Sequence, residues 1–314
     1  MVVQELASIA RLYGAHVDFD AFERLFRARL VDPTIRIPKA MEANFLNPGS
    51  AVEGRIRNLI LEFRAGRGKE LEERLFEQKR RLANAQRKLQ VKQTKAALES
   101  QRIANTKVDW HLEKLADLNS PTLKPDDSRI FPMHFAPVVV REAESLVIKP
   151  MRYHCRPAGK PESYDRQFDG LYNARRDSLE KFWKAQFGFT HAVVVMTAFF
   201  ENVSKHRFEG RPLAEGEREQ NVILEFNPQP QFLMNVACVW SHWQAPGRPE
   251  LDSFAAITDE PPPEISAAGH DRCVIPLQLA NVHEWLNPIE ANRQRLYALL
   301  DDRVRPHFEH RLAA

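Results

Sequence analysis

The sequence predicts an α+β fold, in which a mainly antiparallel β core follows a long inserted helical arm. Residues 51–118 contain no proline and are rich in Gln, Lys, Arg and Ala, which is helix composition. After a turn-rich joint, short β-branched and aromatic runs alternate with clusters of Pro, Gly, Asn and Asp, as in antiparallel sheets. We therefore divide the chain into an N-terminal helical part of the core domain (1–50), the arm (51–124) and the β-rich core with a C-terminal helix (125–314).

The N-terminal part is predicted to contain two helices. Apolar residues recur at helical spacing over residues 1–30, and the pattern is interrupted near Tyr13 and Gly14. A stretch from Asp32 to Pro48 contains several prolines and is predicted to be irregular or extended.

The arm carries a narrow apolar stripe. One set of residues recurs every seven positions, namely Leu75, Leu82, Leu89, Ala96, Ile103 and Trp110. The positions three residues further on are mostly polar, whereas a coiled coil needs both sets to be apolar. The pattern therefore predicts one long helix that rests on its own domain or loosely on a partner, whose identity the sequence does not give.

The β core is predicted from seven short apolar runs. These are PVVV, LVIKPMRY, THAVVVMTAFF, NVILEF, FLMNVACVW, FAAIT and RCVIPL. Helical patterns after residue 124 are confined to SLEKFWKAQF, LANVHEWL and NRQRLYALLDD. The chain has no G-x-G-x-x-G, P-loop, H-E-x-x-H or G-x-S-x-G motif, which argues against nucleotide-dependent, zincin and α/β-hydrolase chemistry.

Charge is unevenly distributed along the chain. Residues 78–107 contain nine basic residues and one acidic residue, a net of +8, and because the whole chain is +3 the remainder sums to −5. Residues 149–176 contain seven basic and three acidic residues. Two basic segments on an otherwise acidic chain favour a polyanionic partner, because neutralising phosphates releases counterions. A solvated helix face is the alternative for the first segment.

The cysteines and the hydropathy pattern indicate the compartment. Cys155, Cys238 and Cys273 are far apart and form no C-x-x-C pair, which fits a reducing cytoplasm and suggests neither a disulfide nor a zinc site. No apolar run approaches the length of a bilayer span, and the N-terminus lacks a signal-peptide pattern, so no membrane role is expected.

Three polar residues lie at the ends of predicted strands. Asn173 precedes the pair Arg175 and Arg176, Glu201 ends the run VVVMTAFFE, and His270 precedes RCVIPL. A carboxylate at the end of a buried strand is suited to proton transfer, and histidine titrates near neutral pH. Taken singly, each has a simpler interpretation: Asn173 as a turn residue, Glu201 in water and His270 as a backbone cap.

The order of these blocks resembles the SOS-response-associated peptidase (SRAP) family. The similar segments are PMRYHCRP, YNARRDSLEKFW, MTAFFENV, NVACVWSHW, FAAIT and AGHDRCVIPL. The resemblance covers about residues 125–290 and the helical start, and the combined order is more specific than any one block. Relative to compact members, the basic helical segment is an insertion.

The resemblance implies binding to single-stranded DNA at abasic sites, with no cofactor, in the cytoplasm at the nucleoid. In that family an N-terminal cysteine closes a thiazolidine on the ring-opened sugar, with self-processing of the N-terminus and lyase-type reversal. By resemblance, Asn173 orients the N-terminal amine, Glu201 moves protons and His270 assists sugar opening. The implied DNA contacts are Arg152, Arg156, Arg175, Arg176 and Thr258. The hypothesis places the three catalytic residues around one cleft beside a positive surface formed by Arg152, Arg156 and Arg175.

The sequence departs from the family at residue 2, which is Val2. Three accounts are open: an upstream start with Met-Cys, which we favour; a non-covalent DNA binder that has lost the chemistry; or replacement of the nucleophile by Cys155. Because residue 2 is valine, the enzymatic activity is expected to be impaired in the chain as given. A different class of protein, a helical interaction protein whose β domain only anchors the arm, is a further alternative.

Overall fold

The computed structural model describes residues 1–288 and 292–313. The helices are α1 (Leu6–Tyr13), α2 (Phe19–Val31), α3 (Lys39–Ala43), α4 (Ala51–Val91), α5 (Lys95–Asn119), α6 (Tyr164–Gln167), α7 (Lys205–Phe208), α8 (Pro263–Ala267), α9 (Val282–Trp285) and α10 (Arg293–Asp301). The strands are β1 (His16–Val17), β2 (Phe135–Glu142), β3 (Ser145–Tyr153), β4 (Asn173–Arg175), β5 (His191–Met196), β6 (Phe199–Ser204), β7 (Asn221–Gln229), β8 (Met234–Trp243), β9 (Leu251–Asp259), β10 (Cys273–Val274), β11 (Pro276–Leu277) and β12 (His307–Leu312).

Five strands form a closed ring, which confirms the α+β fold class. Strand β3 pairs with β2, β2 with β5, β5 with β8 and β8 with β9, all antiparallel, and β9 returns to β3 through a short parallel pairing. Because successive side chains of a strand point to opposite faces, the strands contribute to two apolar clusters. In β2, Val139 packs with the helices, whereas Val138 and Val140 pack towards a second sheet.

The second sheet has three strands in the order β12-β7-β6. The run THAVVVMTAFF, taken as one strand, is two strands, because the chain turns at residues 197–198 and continues from the barrel into this sheet. The predicted C-terminal helix corresponds to α10, but the chain then adds β12 along β7. The predicted helix in SLEKFWKAQF is not formed: a short 3₁₀ helix, Arg176–Ser178, ends at its first residue, and the rest of the segment consists of turns.

The arm is a helical hairpin, so the expectation of one long helix is wrong. Helix α4 ends at Val91, and α5 starts after Thr94, whose side chain accepts a hydrogen bond from the Ala97 backbone N–H. The two helices pack antiparallel, with Arg81 Nε donating to Ser100 Oγ at 3.1 Å. The seven-residue stripe spans this turn and cannot form one seam, and small side chains such as Ala85, Ala97 and Ala104 occupy the interface instead.

The first turns of α4 belong to the core rather than to the projecting arm. Ile56 and Ile60 are fully buried in the cluster that contains α1 and α2. Glu42 on α3 binds two guanidiniums, Arg29 at 2.6 Å and Arg64 at 2.5 Å, which fixes α4 to α2 and α3. The projecting part therefore begins near residue 64, after the boundary predicted at residue 51. In the part of the chain that the structure describes, no helix is both long and apolar enough to cross a membrane.

Candidate active site

One face of the barrel carries the residues of β4. Asn173 lies opposite Ala256 and Arg175 lies opposite Thr258 on β9. Residues directly opposite in neighbouring strands point to the same side of a sheet, so these side chains share a face. Tyr153 at the end of β3 lies on the same face, and its hydroxyl donates a hydrogen bond to Asn173 Oδ1 at 3.4 Å. This tyrosine was not singled out from the sequence, although it lies within the PMRYHCRP block.

Glu201 and His270 are in direct contact. Strand β6 presents Glu201, and the loop after α8 presents His270, whose Nε2 lies 3.1 Å from Glu201 Oε2. The other ring nitrogen, Nδ1, lies 3.0 Å from the backbone carbonyl oxygen of Arg272. Both side chains are mostly buried, with 13% of His270 and 20% of Glu201 exposed. Such a pair can hold a proton at one edge of the site and transfer it to a bound molecule.

The pair shifts the protonation of His270. Burial alone lowers the pKa of the imidazole, but the hydrogen bond and negative charge of Glu201 outweigh burial, and the Arg272 carbonyl and Asp271 add to this effect. The net result is a pKa above the ordinary histidine value. The contact with Glu201 therefore favours the protonated form of the imidazole.

A glycine allows the His270 loop to approach β6. Gly269 has a φ of +94°, a conformation that residues with a Cβ rarely adopt. A Cβ at this position would lie 2.9 Å from Val203 Cγ1 and 3.1 Å from Arg207 Cβ. The glycine immediately before His270 therefore permits the contact with Glu201.

The hydroxyl of Tyr153 contacts Asn173, and its protonation depends in part on Glu201. Burial raises the pKa of Tyr153 well above its ordinary value, and the negative charge of Glu201 raises it further. The structure brings Glu201 and His270 into contact, and it brings Asn173 into contact with Tyr153.

The predicted DNA contacts divide into exposed and enclosed groups. About half of the Arg175 side chain, 49%, is exposed, and its nearest carboxylates are Asp177 at 3.4 Å and Asp271 at 4.0 Å. Arg176 is enclosed by Asp259 at 3.1 Å and Asp301 at 2.6 Å.

Thr258 lies beside Arg175 on the site face. This threonine is buried, and its hydroxyl has no hydrogen-bond partner among the residues that the structure describes.

The predicted positive surface of Arg152, Arg156 and Arg175 is not formed. Arg152 and Arg156 are buried, with 6% and 7% of each residue exposed. Both bind Asp165: Arg152 Nη1 donates to it at 2.8 Å and Arg156 Nε at 3.1 Å. Although burial raises the pKa of this carboxyl, the two guanidiniums hold it below its ordinary value. Arg152 and Arg156 are therefore neutralised within the fold, and only Arg175 of the three reaches the surface.

The cysteines are not placed to act as nucleophiles. Cys155, Cys238 and Cys273 are all buried as free thiols. Burial raises the pKa of Cys155 to about 12, and that of Cys273 likewise to about 12. A protonated, enclosed thiol is unreactive, which contradicts the account in which Cys155 replaces the N-terminal nucleophile.

Metal chemistry has no support from the described residues, 1–288 and 292–313. Across these ranges, no group of three or more His, Cys, Asp and Glu side chains is arranged to hold a metal ion.

The first residues of the chain run along the end of β5. Val2 is buried and bridges antiparallel to Met196, Val3 N donates to Val195 O at 2.8 Å, and Thr197 N donates to Met1 O at 2.8 Å. In this direction the segment approaches β6, the strand that carries Glu201.

Comparison with known proteins identifies the family. The model of the SOS response associated peptidase (SRAP) family matches residues 85–311, which is more than two thirds of the chain. The chain belongs to the SRAP family. The match begins within α4, so it includes the distal part of the hairpin.

Three solved structures are similar to this chain at low sequence identity. A protein from Bacteroides thetaiotaomicron is 14% identical with a TM-score of 0.44, covering 57% of this chain and 74% of its own. A protein from Bordetella bronchiseptica is 16% identical with a TM-score of 0.47, covering 62% and 90%. A phage-related protein from the same organism is 16% identical with a TM-score of 0.41, covering 56% and 77%. No curated protein sequence matches the chain.

Proposed function

We propose that this SRAP-family chain binds single-stranded DNA at abasic sites, and that Glu201 and His270 transfer protons at the abasic sugar. The observation that carries this proposal is the 3.1 Å contact between His270 Nε2 and Glu201 Oε2. The pair combines a protonated donor with a carboxylate acceptor, which the chemistry of an aldehyde and an amine requires.

The proposed reaction uses both members of the pair. An amine adds to the carbon of the ring-opened sugar aldehyde, forming a C–N bond, and the amine loses a proton to Glu201. The C=O π bond breaks, and its oxygen takes that proton back from Glu201 to become a hydroxyl. The hydroxyl takes a second proton from His270 and leaves as water, and the iminium that remains returns its N–H proton to His270 to give the Schiff base. Reversal passes through the same steps in the opposite order, because addition of water needs the same proton transfers.

Arg175 is proposed to bind a phosphate next to the abasic nucleotide. Its guanidinium is half exposed on the face that also holds Asn173, and guanidinium matches phosphate oxygens in a two-pronged geometry. The free hydroxyl of Thr258, directly opposite Arg175, is a further donor at this position. For Arg152, Arg156 and Arg176 we propose an indirect role, because their carboxylate partners keep them in the fold.

The stable covalent step needs a nucleophile that Val2 cannot provide. An N-terminal amine alone gives a Schiff base that hydrolyses, whereas a cysteine thiol next to the amine closes a five-membered ring. Continued in register, a segment added ahead of Met1 would lie opposite residues 199–201 and so approach Glu201. A Met-Cys segment of that length is the version of the protein in which we expect crosslinking.

The test compares three proteins on an abasic single-stranded oligonucleotide. We expect the chain as given to bind without a heat-stable adduct, a version extended with Met-Cys to form the adduct, and its Cys→Ser form to lose it. In the extended version, Glu201→Gln should slow adduct formation or reversal by roughly 10²-fold or more while binding is retained. A stable adduct from the chain as given would show that another residue is the nucleophile.

A second function, non-covalent binding to single-stranded DNA, is favoured by the three buried cysteines together with Val2. In that case the extended version also forms no adduct, although Arg175→Gln still weakens binding. If neither version binds single-stranded DNA, both functions are excluded.

A further inference from the structure

The distal part of the hairpin, residues 78–107, is called the tip here and carries cations without partners. It contains nine basic residues and one carboxylate, Glu99. The tip lies entirely in the described part of the chain, and within it only Arg102 forms an ion pair, with Glu99 at 2.6 Å. The eight cations without a carboxylate partner are Lys79, Arg80, Arg81, Arg87, Lys88, Lys92, Lys95 and Lys107.

The rest of the hairpin is electrically balanced. Residues 51–77 contain six basic and six acidic residues, and several of them pair, for example Arg67 and Arg74 with Glu70. Residues 108–119 contain one basic and three acidic residues. An ordinary solvated helix surface alternates the two signs, as the balanced part does, so the tip differs from its own continuation along the same two helices.

Three cations of the tip line a concave groove between the helices. The groove has a volume of about 580 Å³, and α4 lines it with Arg80, Arg81, Lys88 and Asn84. Ser100 of α5 and Glu77 of α4 also line the groove. Arg80 and Arg87 are seven residues apart, as are Arg81 and Lys88, so each pair repeats along one side of α4 at about 10 Å. A concave, repeated array of donors fits a ridge of phosphates better than a flat bilayer surface.

The tip projects beyond the core. Helix α4 leaves the core near Arg64 and ends at Val91, which corresponds to about 40 Å of helix at 1.5 Å per residue. The part of α4 within the tip, residues 78–91, is about 20 Å long, which matches about six base pairs of duplex at 3.4 Å per pair. A stiff duplex presents phosphates at fixed separations that a rigid array of cations can match, whereas a flexible single strand has no preferred separation.

We propose that the tip binds the phosphate backbone of duplex nucleic acid, as a contact separate from the barrel site. Two packed helices are too wide for the major groove, which admits one helix, so the contact follows the backbone and is independent of sequence. The proposal depends on the charge and shape of the tip and not on the abasic-site chemistry.

The experiment compares two matched double variants of α4. Arg80→Gln/Lys88→Gln removes two tip cations, and Arg57→Gln/Lys69→Gln removes two cations nearer the core; all four residues are exposed and form no ion pair. Glutamine has a helix propensity close to those of lysine and arginine, so both variants should fold. Binding to an undamaged duplex of about 30 base pairs is measured by fluorescence anisotropy between about 50 and 200 mM NaCl.

We expect the tip variant to weaken duplex binding and to reduce the slope of log Kobs against log salt by about 2, since each lost phosphate contact removes close to one unit. The matched variant should keep the slope of the unchanged protein. An unchanged slope in the tip variant, or an equal loss in both variants, overturns the proposal. Binding to phosphatidylserine vesicles without binding to the duplex overturns it as well.

A Glu201→Gln variant separates this proposal from the function proposed above. It should bind undamaged duplex as the unchanged protein does, because the tip is intact. The unchanged protein is also tested on abasic single-stranded DNA. If it does not bind this DNA while the tip variant still loses duplex binding, only the function proposed for the barrel site is rejected. If Glu201→Gln weakens duplex binding as much as the tip variant does, the tip is not a separate contact.

Discussion

The two basic segments of this chain have opposite structural fates. In residues 149–176, Arg152 and Arg156 are buried against Asp165, and Arg176 is enclosed by Asp259 and Asp301. In residues 78–107, eight of nine cations have no carboxylate partner in the described structure. Both segments look alike as runs of basic residues, yet three arginines of the first are enclosed by carboxylates, whereas nearly all cations of the tip are unpaired.

The difference follows from solvation. A buried guanidinium loses its hydration and persists only where a carboxylate replaces it, so the barrel arginines are paired. An exposed cation keeps its hydration and needs no partner, so the tip can retain a net charge at little cost. A basic run in a sequence therefore gives only the composition of a segment. Whether the segment can attract a polyanion depends on whether its basic side chains are buried or exposed.

The largest loss of stability is expected when Asp165, the buried carboxylate that binds Arg152 and Arg156, is replaced. Asp165→Asn leaves Arg152 enclosed without a counter-charge and Arg156 with only Glu162, at 3.9 Å, and we expect the free energy of unfolding to fall by about 3–5 kcal/mol. Chemical denaturation measures this change. The control is Asp177→Asn, an exposed carboxylate near Arg175, which should change stability by no more than about 0.5 kcal/mol. Equal small effects of both substitutions would mean that the buried arginines of residues 149–176 do not depend on Asp165 as a counter-charge.

An intermediate effect is expected from the site pair. Glu201→Gln removes the charge that holds the pKa of His270 above its ordinary value, so that pKa should fall, which an NMR titration detects. We expect a loss of about 1.5–3 kcal/mol at slightly acidic pH, because a hydrogen bond to a charged group is lost.

The pH dependence of this loss has a defined sign. Glu201 favours the protonated imidazole, so its stabilising contribution is complete below the unfolded histidine pKa of about 6.5 and disappears as the pH rises through the higher folded pKa. Glu201→Gln should therefore destabilise the protein more at pH near 6 than at pH near 9. A loss that is independent of pH would indicate a purely steric role for the carboxylate.

A smaller effect is expected at the hairpin turn. Thr94 caps α5 through the hydrogen bond that Ala97 N donates to its side chain, and Thr94→Ala should cost about 1 kcal/mol in the opening free energy of the first turn. Hydrogen exchange of the following amides reports this change. The control is Thr106→Ala within the same helix, where alanine should raise helix stability slightly. Slower amide exchange at the start of α5 in Thr94→Ala would show that the Thr94 cap does not stabilise the first turn of this helix.

The smallest effect is expected at the one ion pair of the tip. Arg102 and Glu99 are 69% and 54% exposed, so solvent screens their attraction. Arg102→Gln should leave the melting temperature unchanged within measurement error, while it removes a further cation from the surface that we propose binds duplex. A clear drop in the melting temperature would show that tip charges stabilise the hairpin.

Much of the core was predictable from local patterns. The apolar runs that became β2, β3, β7, β8 and β9 were correctly assigned, because short runs of β-branched residues bounded by turn residues fit the pleated, buried surface of a sheet. The hairpin turn was missed: the segment from Lys92 to Thr94 has no glycine or proline, and its only signal was a threonine that can cap a helix. The terminal strand β12 was missed because it pairs with residues far away in sequence.

The sequence by itself determined the kinds of residue that the site contains and the order in which they occur, since Asn173, Glu201 and His270 follow a family pattern. The tertiary structure alone decided that Glu201 and His270 touch, that Tyr153 contacts Asn173, and which arginines are paired with carboxylates. The physical reason is the sequence separation over which each kind of interaction acts. Propensity and periodicity act over a few residues, whereas the partners of buried charges come from strands and loops that only the folded barrel brings together.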